Sequence, residues 1–166
     1  MVRSVQHDAL TGVYNRENTQ KMIDAILREK APEGFHGFLI LDMDHFKEVN
    51  DVYGHVMGDN VLRMLGGFLK EQFREQDVIG RIGGDEFVIL LCNIGSRENM
   101  ESRIKNLHEN LREIRMEGMG EHTFTFSAGI AFAPQDGDTF MELYQKADLA
   151  LYQVKRSGRN GYRIYK

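Results

Sequence analysis

The chain has 166 residues, 42% hydrophobic and 28% charged, with a formal net charge of −4. This balance suits one compact domain with a sizeable core and excludes a disordered chain. The mild acidity offers no field to draw nucleic acid, the lone cysteine excludes an intrachain disulfide, and no apolar stretch approaches the ~20 residues that span a bilayer.

Met1-Val2-Arg3-Ser4-Val5 is too short and polar for a leader. Residues 1–7 read as a residual linker from a preceding region, and 8–166 as a single domain. Met22, Ile23, Ile26 and Leu27 recur at helical spacing. They predict a helix from Asn15 to Lys30, stopped by Ala31-Pro32-Glu33-Gly34. Phe38–Asp42 is a short apolar run and predicts a buried strand. Val61, Leu62, Leu65, Phe68 and Leu69 mark a second helix. Val78–Ile82 and Phe87–Leu91 flank Gly83-Gly84 and read as a tight hairpin, because glycine reaches backbone angles that other residues avoid. Cys92, ending that run, is expected as a buried, inert thiol. Ile104, Leu107, Leu111 and Ile114 mark a third helix. Thr123–Ala133 reads as a strand with a kink at Gly129. Leu143, Ala147, Ala150, Leu151 and Val154 mark a last helix, stopped by Gly158 and Gly161 before a short strand, Tyr162–Tyr165.

The order α-β-α-β-β-α-β-α-β contains βαββαβ, an α+β split βαβ core. In that core the first and third strands are antiparallel neighbours. The end of Phe38–Asp42 then lies beside the start of Phe87–Leu91. Asp42 and Asp44, which share a face by strand periodicity, gather with Asp85 and Glu86 at one sheet edge. Like charges at close range are costly unless a cation lies between them. Oxygen donors suit Mg²⁺ or Mn²⁺, whereas zinc asks for His or Cys. Such a cluster also suits two-metal transfer to phosphate. Singly, each feature has a plainer reading: an acidic solvated hairpin, a turn-forming Asp42, charges that compensate helix ends. Their convergence favours chemistry.

Further segments carry a resemblance. They are Asp8-Ala9-Leu10-Thr11-Gly12-Val13-Tyr14-Asn15-Arg16, Asp42-Met43-Asp44-His45-Phe46-Lys47-Glu48-Val49-Asn50-Asp51 and Gly54-His55-Val56-Met57-Gly58-Asp59. Gly83-Gly84-Asp85-Glu86-Phe87, Ala147-Asp148-Leu149-Ala150-Leu151-Tyr152, Lys155 and Gly158-Arg159-Asn160 complete them. Over nearly its whole length the chain resembles a GGDEF domain of the diguanylate cyclase family. The resemblance implies a palm-like fold with a mostly antiparallel central sheet flanked by helices, related to class III nucleotide cyclases and polymerase palms. It implies condensation of two GTP into cyclic di-GMP, with release of two pyrophosphates, between two facing domains.

Asp85, Glu86 and Asp42 are the implied catalytic residues. Asp42, the Met43 carbonyl, Asp85 and Glu86 are the implied ligands for two Mg²⁺ or Mn²⁺ ions per half-site. Asp44 ranks below them, as a structural group. The implied substrate residues are Phe46, Lys47, Asn50, His55, Asp59, Lys155 and Arg159. The amides of His45, Phe46 and Lys47 open a short helix and take phosphate. Asn50 and Asp59 match the donors and acceptors of guanine. Lys155 and Arg159, four apart near the end of the last helix, clamp the triphosphate. Arg74 and Asp77, from Arg74-Glu75-Gln76-Asp77, form the implied product-inhibition site, with Arg74 stacking on guanine and Asp77 accepting from its edge. The expected partners are GTP, cyclic di-GMP, a second copy in a transient homodimer and an N-terminal sensor or dimerising region outside this chain. Nucleic acid and membrane contact are not expected, and the expected location is the cytoplasm. The rival reading is a non-catalytic module that binds cyclic di-GMP or GTP. The intact Gly83–Phe87 segment favours the enzyme.

Overall fold

The computed structural model describes residues 6–29 and 34–166. The segment 1–5 and the helix stop expected at Lys30, Ala31, Pro32 and Glu33 lie outside the described residues. Helix α1 (Arg16–Arg28) begins where the Asn15 side chain accepts from the Asn18 amide, and it buries Ile23 and Leu27. Strand β1 (His36–Met43) is buried along its whole length. It extends past the expected Phe38–Asp42 because it has a strand partner on each side. Helices α2 (Phe46–Tyr53) and α3 (His55–Gln72) meet at Gly54. Strands β2 (Val78–Gly83) and β3 (Glu86–Leu91) form the hairpin, with Gly84 at φ +49° and a register shift between Arg81 and Gly83. Helix α4 (Arg97–Arg112), strand β4 (Phe126–Ala133), helix α5 (Phe140–Arg156) and strand β5 (Gly161–Ile164) complete the chain. Ile114 falls beyond α4, and β4 starts three residues after the expected Thr123.

The sheet order is β2-β3-β1-β4-β5. β1 runs antiparallel to both neighbours, and only the β4–β5 pair is parallel. This is the expected split βαβ core with its mostly antiparallel sheet. Strand alternation divides the core in two. Leu39, Leu41 and Met43 of β1 pack with Leu65 and Leu69 of α3 and with Ile104 and Leu107 of α4. Phe38 and Ile40 face the other way, toward Ile23 of α1 and Leu143, Ala147 and Leu151 of α5. Each such side chain, fully buried, stabilises by roughly 1.5–3 kcal/mol relative to exposure. Between His36 and Asp42 both faces of β1 are therefore apolar, and Asp42 is the first carboxylate on the α5 side.

Gly129 differs from expectation. β4 does not kink there: Gly129 keeps its register with Ile40 and with Arg163. A Cβ at this position would lie 2.0 Å from the Ala147 carbonyl oxygen. The glycine is needed because α5 rests directly on the sheet.

Arg81 fastens the hairpin to the chain's start. Its Nη1 donates to Asp8 at 3.2 Å, its Nε to the Gly84 carbonyl at 2.8 Å and its amide to the Tyr14 carbonyl at 2.9 Å. Asp8 also accepts from the Thr11 amide and hydroxyl at 2.9 and 2.7 Å. Burial pulls the Asp8 pKa upward, but Thr11 and Arg81 together hold it below the ordinary 3.8.

Candidate active site

Register brings the acidic groups together. Asp42, at the end of β1, pairs directly with Glu86, at the start of β3, and Asp85 precedes Glu86 in the hairpin turn. Asp42 Oδ1 is buried without a hydrogen-bond partner, and Oδ2 is held by the Lys155 ammonium from the last turn of α5. Glu86 Oε2 accepts from the Tyr144 hydroxyl of α5 at 2.5 Å. Burial, then the Asp42 charge, pushes the Asp85 carboxyl above the ordinary carboxylate range. Burial also raises Glu86; the Tyr144 hydroxyl opposes this and the Asp42 and Asp148 charges add to it. Among the described residues no three carboxylate, imidazole or thiol side chains close on one point. The all-oxygen donor set and the orphaned Asp42 oxygen fit a hard divalent cation.

Beside these carboxylates the N-terminus of α2 is bare. Side chains cap α1, α4 and α5, from Asn15, Ser96 and Thr139. α2 has no such bond: His45 precedes it in a left-handed conformation, φ +60°. The first-turn amides thus remain available to an anion. A cleft of about 420 Å³ lies here, lined by Asp42, Met43, Phe46, Lys47, Asn50, Asp85, Lys155 and Arg159 among others. Two details differ from expectation. Arg159 lies beyond the end of α5, in a left-handed turn at φ +65°, not on the helix. Lys155 is turned onto Asp42 rather than standing free as a phosphate clamp.

A family model described as "Diguanylate cyclase, GGDEF domain" matches residues 5–161. The chain belongs to the GGDEF domain family. It is 35% identical over 157 residues to the probable diguanylate cyclase DgcC of Escherichia coli, covering 92% of this chain and 41% of that protein. The chain therefore spans well under half of that curated relative. The solved GGDEF domain of PA1120 (TpbB or YfiN) from Pseudomonas aeruginosa superposes with a TM-score of 0.89 at 34% identity, over 96% of this chain and 94% of that one. The GGDEF domain of DgcB from Caulobacter crescentus, solved in complex with c-di-GMP, gives 0.88 at 25% identity, over 99% and 98%. The fold is thus that of GGDEF domains in detail, not only in element order.

In this GGDEF domain the cleft takes in one of the expected base-reading residues. Asn50 lines it, whereas His55 and Asp59 are exposed on α3 and outside the lining. Gly58 connects the two groups. A Cβ on Gly58 would lie 1.8 Å from Asn50 Oδ1, so the bare backbone of α3, one residue before Asp59, is what lets the Asn50 amide lie against the helix.

Asp77 of the expected Arg74–Asp77 site packs against the protein itself. The Asp77 side chain is fully buried and already saturated. It accepts from the Arg74 amide and the Cys92 amide at 3.0 Å each and from the Arg74 guanidinium at 3.4–3.5 Å. Arg103 of α4 lies 3.9 Å away. Arg74 Nη2 also donates to the Cys92 carbonyl at 2.6 Å. A guanine edge reaches Asp77 only if these donors let go, so in this state Asp77 orients Arg74. Cys92 is buried as expected, and burial with the Asp77 charge pushes its thiol up to about 11.

Sequence reasoning missed Tyr144, Arg103 and the Asp44 contacts. Tyr144 had a signal: a polar-tipped residue beside Leu143 and Ala147 on the core-facing stripe of α5. Arg103 had none. Asp44 was read from strand periodicity, but β1 ends at Met43, and beyond it Asp44 turns to Thr125 and Ser127. No helix among the described residues is long and apolar enough to cross a membrane.

Proposed function

We propose that this domain condenses two GTP molecules into cyclic di-GMP across two facing copies, releasing pyrophosphate from each. The observation that carries this reading is one cleft joining a carboxylate cluster, an uncapped helix start and three basic side chains, Lys47, Lys155 and Arg159. The bare α2 amides and Lys47 receive the β- and γ-phosphates, and Arg159 closes on them from the far wall. Asn50, with Asp59 and His55 on α3, reads the guanine edge. Lys155 moves from Asp42 to the triphosphate when substrate enters. Two Mg²⁺ or Mn²⁺ ions per half-site, held by Asp42, the Met43 carbonyl, Asp85 and Glu86, would supply positive charge to the phosphates. Glu86, steadied by Tyr144, accepts the proton of the 3′-hydroxyl. That oxygen bonds to the α-phosphorus of the GTP on the other copy, and the bond to pyrophosphate breaks. Positioning and electrostatics supply most of what such a transfer needs.

Two chains must meet because each holds one GTP and the product has two-fold symmetry. Activity per molecule should therefore rise with protein concentration. We also propose that Arg74 and Arg103, oriented by Asp77, bind cyclic di-GMP as an inhibitory site. Incubation with GTP and Mg²⁺, followed by mass analysis of products, tests the reading. Cyclic di-GMP from GTP and none of the corresponding product from ATP is expected. A domain that makes no cyclic di-GMP at any concentration, yet binds it, would instead be a non-catalytic receptor. Arg74→Ala should weaken cyclic di-GMP binding by at least about ten-fold in calorimetry, as loss of a charge-assisted contact implies.

A further inference from the structure

We infer that Asp44 is a positioning residue that holds the Arg159 turn in place for the triphosphate. The inference rests on the nucleotide reading above. Asp44 is 6% exposed and follows directly on the catalytic end of β1. It accepts from the Thr125 hydroxyl at 2.7 Å, the Ser127 hydroxyl at 2.6 Å and the Asn160 amide at 2.9 Å. Its own amide donates to the Thr125 carbonyl at 2.9 Å. One buried carboxylate thus joins the end of β1, the start of β4 and the turn after α5.

That turn needs holding. Arg159 and Asn160 are consecutive non-glycine residues at φ +65° and φ +49°. An Arg in this region is strained, an Asn less so, and the pair persists where its surroundings impose it. The bonds around them supply that constraint. The Arg159 amide donates to the Val154 carbonyl at 3.0 Å, the Asn160 amide to Asp44, and the Asn160 side chain accepts from Arg112 Nη2 of α4 at 3.3 Å. Arg159 itself is exposed and lines the cleft. Its backbone is fixed, and its guanidinium is presented. Burial alone does not account for Asp44, because an apolar residue would fill the space without leaving a charge to satisfy. A carboxylate is needed where three donors from two other segments meet the end of β1.

The test is a double-mutant cycle read by binding of α,β-methylene GTP with Mg²⁺, in calorimetry, to the wild-type domain, Asp44→Ala, Arg159→Ala and the double variant. Asp44→Ala and Arg159→Ala should each weaken the analogue about ten-fold, and the double variant should be no weaker than Arg159→Ala alone. Guanosine affinity should stay within about two-fold throughout, because it lacks the phosphates that Arg159 meets. Additive losses in the double variant, or an equal loss for guanosine, would overturn the inference and leave Asp44 a general structural residue. If Asp44→Ala does not fold, Asp44→Asn serves. It keeps the shape and one acceptor oxygen, so the loss should be smaller, about five-fold, and again absent without Arg159. Failure of the wild type to bind the analogue would reject the nucleotide reading itself. Amide exchange at Asn160 then still reports on Asp44: faster exchange in Asp44→Asn is expected, and unchanged exchange overturns the hold.

Discussion

The two acidic sites of this domain are built in opposite ways. At Asp77 every side-chain oxygen is engaged, by the Arg74 and Cys92 amides and the Arg74 guanidinium, with Arg103 alongside. At the β1–β3 edge one Asp42 oxygen is buried with no partner, and burial and then the Asp42 charge raise Asp85 and Glu86. A saturated carboxylate fixes shape. An under-partnered group of carboxylates stores unfavourable energy that a cation or a phosphate-bound metal would relieve. The same residue type is therefore saturated in one place and under-partnered in another, and the proposed chemistry belongs to the second.

The sharpest way to break this comparison is Asp85→Asn. It keeps the shape and removes a charge from the under-partnered cluster. Cyclic di-GMP formation should fall by about a thousand-fold or more, with little change in thermal unfolding. A rate close to wild type would remove the metal role. Asp77→Ala should do the reverse. It leaves the Cys92 and Arg74 amides without their acceptor in a buried place, and should destabilise by about 2–3 kcal/mol. For a chain of this size that lowers Tm by roughly 4–10 °C, read by calorimetry. An unchanged Tm would mean that Asp77 is not the scaffold its contacts suggest.

A smaller effect is expected at Gly58, where an added methyl would meet the Asn50 amide 1.8 Å away. Gly58→Ala should raise KM for GTP by about ten-fold while kcat changes less, since a misplaced contact outside the reacting centre is involved. Equal KM in the two proteins would show that Asn50 is not held for the base.

The smallest effect concerns His108, stacked on Phe126 with ring centroids 3.7 Å apart and with Nε2 buried without a partner. Burial, then Arg112, pushes its pKa down from 6.5 to about 4. The unfolded chain takes up this proton below about pH 6.5 while the folded chain takes it only near pH 4. Stability should fall as pH drops through that window, and His108→Phe should flatten the slope. Asp8 acts lower: its folded pKa is depressed below 3.8, so its contribution is lost only as pH falls below that value. A slope that His108→Phe leaves intact would assign the window elsewhere.

Much of the fold was legible in the sequence because apolar runs carry their own boundaries. Phe38–Asp42 ends at a carboxylate and Phe87–Leu91 begins after two, and the split βαβ rule placed that end beside that start, as Asp42↔Glu86 shows. What stayed hidden depends on contacts between distant segments. The Lys155–Asp42 pair joins residues 113 apart, and nothing local to Lys155 distinguishes it from a solvated helix-end charge. The contacts that hold Asp77 were hidden because the motif gives residue types but not burial. Asp44 was assigned to a strand face because periodicity continues on paper past the residue where the strand stops. Gly129 suggested a kink because flexibility is the property of glycine visible in sequence; the absence of a side chain matters only once α5 is present.

That contact at Gly129 also has a mechanical consequence. The Ala147 carbonyl rests on the bare backbone of β4, and Lys155 lies eight residues further along the same helix, about 12 Å away at 1.5 Å per residue. Helix α5 is thus a stiff arm with its fulcrum at mid-sheet and a charged tip at the sheet's edge. A methyl group inserted at the fulcrum would lift the arm, and the tip would swing away from Asp42 although no residue near the cleft had changed.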